Sequence, residues 1–247
     1  MKKESKFDFV ISFVFASLSL ITYIVTFSAF YVRLDNNAAF TDVNEASESE
    51  CEKVTVILDA GHGGEDAGAV SENGILEKDL NLLLCNQIKD ILISNNVNVI
   101  MTRTEDRLLY TEEQNIKGQR KINDLRNRYF IAKEYENAIF VSVHINKFEQ
   151  SKYKGLQVWY SPNNEKSAII AKTVQETVSS LLQKENTRKI KKSNGSIYLL
   201  DRLECPSVLI ECGFLSNDED CKNLSDAEYR KKMSYLIAHS IIENIGQ

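Results

Sequence analysis

The chain has 247 residues, 43% of them hydrophobic, which is enough for one full core, and its formal net charge is -5 at pH 7. That balance leaves no basic footprint and excludes a nucleic-acid backbone as partner, while a neutral or cationic substrate stays open. Five cysteines, an odd count without regular spacing, argue against a disulfide framework, and Cys85 and Cys212 read as small buried hydrophobes.

In chain order, residues 1–8 carry Lys2, Lys3 and Lys6 and read as a cytoplasmic N-terminus. Residues 9–32 contain no charge and are long enough to cross a hydrocarbon core of roughly 30 Å as a helix. After them only Arg33 precedes a run of Asp35, Asp42, Glu45, Glu48, Glu50 and Glu52, so the positive-inside rule predicts an exported bulk tethered by an N-terminal transmembrane anchor. The alternative is a cleaved signal peptide, but Phe27, Phe30 and Tyr31 crowd the end where small residues are the rule. Residues 33–53 are polar, acidic and aperiodic, as a solvated linker is, and 54–247 read as the folded domain.

Within that domain, β-branched runs at 54–60, 97–103, 138–146, 155–160, 196–200 and 207–212 predict strands. Amphipathic stretches at 77–95, 121–136, 164–184 and 226–245 predict helices between them. The alternation predicts a single α/β domain with a mostly parallel, twisted sheet flanked by helices on both faces. Ser216 with Glu219 and Ser225 with Glu228 have capping-box spacing, so each predicts the opening of a helical turn. No internal repeat or low-complexity tract interrupts the pattern.

Three predicted strands end in residues with chemical capability: His62 in Asp59-Ala-Gly-His-Gly-Gly, His144 in Ser142-Val-His-Ile-Asn, and Glu211 in Glu-Cys-Gly-Phe. The carboxyl ends of parallel strands line one crevice, so these side chains can converge. Glu77, at the start of the first predicted helix, can fold back through the Gly-rich loop to His62. Two imidazoles and a carboxylate make up a catalytic rather than structural zinc set, because a position stays open for water. Glu211, a carboxylate in an otherwise apolar strand, suits the base that moves the proton. Taken singly, any of these residues is more often a surface or capping residue; the joint pattern is what points to a metal hydrolase. His239, inside the last helix, reads as structural. Arg103, Arg126 and Arg128 could contact peptide carboxylates, but any one of them reads rather as solvated surface charge. Asp59 or Asn146 could orient His62 or His144, and Asp59 reads equally well as organising the Gly-rich turn alone.

The segments VILDAGHGGEDAGAVSENGILEKDLNL, FVSVHINKF and PSVLIECGFLSNDED resemble, in order, the signature blocks of the zinc-dependent N-acetylmuramoyl-L-alanine amidases of amidase type 3. The resemblance extends over about residues 54 to 245. It implies zinc bound by His62, Glu77 and His144, a catalytic Glu211, and hydrolysis of the amide between N-acetylmuramic acid and the L-alanine of the peptidoglycan stem. The anchor and the DLRNR and GLQVWYSPNNEKS segments are most similar to the spore-cortex, germination-associated subgroup, which implies a step towards muramic-δ-lactam. In that subgroup an arginine often stands where this chain has Asp201, and adjacent Arg202 could substitute for it. Other classes compatible with the residues are an exported zinc carboxypeptidase or endopeptidase of peptidoglycan and a non-catalytic amidase-like binding module. The absence of a recognisable wall-binding segment suggests a protein activator, and the location implied is the outer face of the cell membrane, or the forespore envelope space in a spore former.

Overall fold

The computed structural model describes residues 54–245. The expected anchor at 9–32 and linker at 33–53 lie outside them, and no helix among the described residues is long and apolar enough to cross a membrane.

The two central strands explain the architecture. β1 (Thr55–Ala60) is buried at every position, and β3 (Ala138–Asn146) is buried through Val143. A strand without a polar face has to be covered on both sides, which is the condition for the interior of a parallel sheet. β2 (Asn98–Met101) pairs in parallel with β1, and β6 (Ser207–Phe214) in parallel with β3. β4 (Gln157–Tyr160) runs antiparallel to β6, and the two-residue β5 (Lys191–Lys192) follows β4, giving the order β2-β1-β3-β6-β4-β5.

Helices cover the faces unequally. α1 (Glu77–Ser94) buries Leu80, Leu84, Ile88 and Leu92, one stripe at helical spacing, against a core that also takes α3 (Lys166–Leu181) and α5 (Ala227–Ile245). Each such fully buried leucine or isoleucine contributes about 1.5–3 kcal/mol of transfer free energy. The opposite face carries α2 (Arg120–Lys133) and a smaller cluster around Ile57, Phe140, Ala132, Leu199 and Leu203. That single helix leaves the carboxyl ends of β1, β3 and β6 open.

Two sequence expectations change and one holds. Residues 196–200 form a turn rather than a strand, because Asp201 accepts the backbone N–H of Ile197 (2.9 Å) and Gly195 (3.3 Å) and a hydroxyl from Ser193 (2.6 Å). Asp201 therefore organises the loop itself, while Arg202 stacks on Tyr198 at 4.6 Å. The helix caps sit one residue beyond the expected serines: Asn217 caps α4 (Asp218–Ser225) by accepting from the Asp220 N–H, and Asp226 accepts from Tyr229 N–H at the start of α5. The cysteine reading holds: Cys85 lies buried in α1 and Cys212 in β6, and both are free, as are Cys205 and Cys221.

Candidate metal centre and active site

β1 ends in a turn in which His62, Gly63 and Gly64 all have positive φ. His62 has φ 62°, a left-handed conformation that costs a non-glycine residue free energy and needs the surroundings to hold it. Two buried arginines do so. Arg103 donates from Nε to the Ala60 carbonyl (2.8 Å) and from Nη2 to the Gly61 carbonyl (3.0 Å). Arg128 donates to the Ala60 carbonyl and to the His62 carbonyl, both at 2.7 Å. Arg128 also pairs with Asp59 (2.6 Å) and Asp124 (2.8 Å), the three side chains being almost fully buried. Burial pushes the Asp59 carboxyl up, but Arg128 and hydrogen bonds from Ser142 and Thr102 outweigh it and leave it below the usual value.

This corrects the sequence reading of Arg103 and Arg128 as solvated charge; they are 1% and 2% exposed. Arg126 is exposed as expected. Asp59 does not orient a histidine either, since Arg128, Thr102 and Ser142 occupy it. The carboxylate that does is Asp66, whose Oδ2 lies 2.8 Å from His62 Nδ1 and whose Oδ1 pairs with Lys121. The sequence signal for it was slight: an acid four residues past His62 in a Gly-rich loop.

His62, Glu77 and His144 come together, with one ligand atom from each within 4.8 Å of the others. Glu77 Oε1 lies 3.2 Å from His62 Nε2 and 2.9 Å from His144 Nδ1. It also accepts the Ile145 N–H at 3.1 Å, while Oε2 accepts the Ala69 N–H at 2.7 Å. Two glycines make the room. A Cβ on Gly61 would fall 2.2 Å from the His144 ring, and one on Gly68 would fall 2.5 Å from Glu77 Oε2. Burial works against charge on Glu77, yet the hydrogen bonds from His144 and His62 hold its carboxyl far below the usual range. Burial depresses His62, but Glu77 and Asp66 raise it above its ordinary value. An ionised carboxylate wedged between two imidazoles, each with an electron pair or proton to give up, is a donor set that a divalent cation with nitrogen and oxygen preference fits.

Glu211 stands beside His144 in the β3–β6 register, and the pairing shifts just beyond, between His144 and Asn146. Such a bulge re-aims side chains at a sheet end. Its Oε2 is buried without a hydrogen-bond partner. Burial raises the Glu211 carboxyl to about 7, against the pull of His144, with Glu77 adding to the rise and His62 and Arg188 opposing it. A carboxyl poised near neutrality can both accept and return a proton.

A cavity of about 340 Å³ adjoins the tripod, lined by His62, His144, Lys121, Leu125, Tyr198 and Leu209 among others. A wider one of about 500 Å³ lies beyond β4, around Tyr153, Gln183, Arg188 and Tyr229. It contains none of the tripod, so the chemistry belongs to the smaller cavity. His239 sits in α5 with its ring 4.3 Å from that of Tyr235, remote from both.

Residues 56–243 match the family described as N-acetylmuramoyl-L-alanine amidase. A germination-specific N-acetylmuramoyl-L-alanine amidase of Bacillus subtilis (strain 168) is 35% identical over 187 residues, 76% of this chain and 78% of that protein. Among solved structures, the CwlD amidase from Clostridioides difficile, in complex with the GerS lipoprotein, is 40% identical with a TM-score of 0.75, covering 78% of this chain and 99% of that one. The N-acetylmuramoyl-L-alanine amidase AmiC2 of Nostoc punctiforme is 28% identical with a TM-score of 0.67, covering 78% and 98%.

Proposed function

The chain belongs to the N-acetylmuramoyl-L-alanine amidase family, and from this premise we propose that it cuts the stem peptide from peptidoglycan with zinc held by His62, Glu77 and His144 and with Glu211 as the base. The observation that carries the reading is one buried, unpartnered carboxylate oxygen, on Glu211, next to a ready tripod of two imidazoles and a carboxylate. Zinc, when bound, supplies Lewis acidity that polarises a carbonyl and lowers the pKa of water. Glu211 accepts the proton as water oxygen bonds to the lactyl carbonyl carbon, then delivers it to the L-alanine nitrogen as the C–N bond breaks. Asp66 fixes the His62 ring by accepting at Nδ1, and the Ala69 N–H pins the second oxygen of Glu77. The products are a free lactyl carboxylate on the glycan and a peptide with an L-alanine amine.

Residues 9–32 are proposed as a membrane anchor that holds the domain on the outer face, supported by the uncharged run and the flanking lysines. The germination-specific relative supports a role in spore-cortex modification, and the relative solved with a lipoprotein supports a protein partner that delivers or activates the domain. The direct test is the zinc-loaded full-length chain on isolated peptidoglycan, with released peptides read by mass. Peptides starting at L-alanine are expected, and Glu211→Ala should lower their rate about 10²–10⁴-fold, the usual contribution of a positioned acid–base group. Cleavage inside the peptide instead would overturn the amidase reading. Unchanged muramic-lactam in spores lacking the protein would remove the cortex role.

A further inference from the structure

On the β4 side of Glu211 stands a cation that the reaction above leaves unused. Gln157 and Glu211 are register partners on adjacent antiparallel strands. Such strands lie about 4.8 Å apart. Gln157, only 3% exposed, accepts from Arg188 Nη2 at 2.7 Å and donates to the Lys189 carbonyl, so it clamps this segment to the sheet from both ends of its amide. The Arg188 guanidinium lies over the Phe214 ring, 4.9 Å from its centroid, and its backbone N–H is held by Asn186.

The side chain is thus fixed, yet little of its hydrogen-bonding capacity is spent. Of the five N–H groups of a guanidinium, the bond to Gln157 uses one, and Nε is buried without an acceptor. Arg188 enters no ion pair among the described residues. The neighbouring acid Asp220 takes the N–H groups of Gly155 (2.8 Å) and Phe214 (2.9 Å) on Oδ2 and makes no ion pair with Arg188. Arg188 also lines the wider cavity between the 152–155 loop, the 182–188 segment and α4, a space large enough for further substrate residues.

We propose that Arg188 is a specificity-determining residue that binds a carboxylate on the departing peptide, that of its second residue. The inference rests on the amidase reading. The span from Glu211 across one strand spacing and one hydrogen bond equals about two residues of extended peptide at roughly 3.3–3.6 Å each. The second residue of the stem is a γ-linked D-glutamate whose α-carboxylate is left free or is amidated, and a planar guanidinium fork is the group that separates those two forms.

The test uses two synthetic N-acetylmuramoyl peptides identical except for carboxylate or carboxamide at that position, cut by the zinc-loaded full-length chain. The wild type should prefer the carboxylate in kcat/KM by roughly tenfold to a hundredfold, mainly through KM, the range for a charge-assisted hydrogen bond. Arg188→Gln should bring the two substrates to within about twofold of each other, and Arg188→Lys should keep part of the preference, which a merely structural role would not produce. A wild type without preference, or a preference that survives in Arg188→Gln, overturns the proposal while leaving the amidase reading intact. Cleavage of both substrates inside the peptide instead of before L-alanine overturns both.

Discussion

The two flanks of the cleft are built on opposite plans. On the β1 flank, the carbonyls of Ala60, Gly61 and His62 each receive an N–H from a buried arginine, and one of the two, Arg128, is tied to two buried aspartates. On the β4 flank, Trp159 and Tyr160 are half-buried, β5 is two exposed residues long, and Arg188 is held by one clamp from Gln157. The role proposed for His62 as a metal ligand would tolerate little positional error, and the flank that presents it is over-determined. A polymeric substrate must enter and leave, so the other flank is open. The difference teaches that buried charge here serves placement: an ion pair out of water is a costly way to gain stability but an effective way to fix a backbone.

That contrast can be broken or sharpened by substitution. The largest effect on stability should come from Arg128→Met, which strands Asp59 and Asp124 as buried carboxylates; unfolding in urea should show a loss of about 3–5 kcal/mol, with zinc content falling as the His62 turn loosens. An unchanged midpoint would mean the turn is held by other means. Asp59→Asn should cost less, about 1.5–3 kcal/mol for a hydrogen bond to a charged group, because Asp124 still pairs with Arg128. Its pH dependence has a defined sign. The folded carboxyl is depressed, so its contribution is full above the unfolded value of about 4 and disappears as pH falls through the lower folded value. The gap between wild type and Asp59→Asn should therefore stay constant from pH 7 to about 5 and close only in stronger acid. At the small end, Lys191→Ala removes a cation lying over the Trp159 ring on the open flank, and urea unfolding should shift by no more than about 0.5–1 kcal/mol.

The same contrast explains what the sequence makes legible. The runs around β1, β3 and β6 are continuous and β-branched, and such strands can only be interior, so the parallel core, its helices and the meeting of His62, Glu77 and His144 at one sheet end follow from pattern. The open flank is written less clearly. Ser196 to Leu200 has the apolar content of a strand, yet Asp201 captures the Ile197 N–H and Leu199 joins the cluster around Phe140 instead. β5 is too short to leave a periodic trace, and the antiparallel direction of β4 depends on a partner distant in sequence. Arg103 and Arg128 escape for another reason: residue type says surface, and only tertiary structure reveals that five carbonyls and two carboxylates surround them. Asp66 and Arg188 carry no local signal beyond their charge.

The two-residue β5 has a consequence beyond the cleft. A sheet's last strand is where a second copy or a misfolded chain could add its own backbone, and long, flat, apolar edges invite that growth. Here the border presents Lys191 and Lys192, both exposed, with scarcely two residues of backbone to template. A newcomer would meet repulsion between ammonium groups and almost no ladder to extend, so on this side the domain can be crowded among its own copies without seeding aggregation.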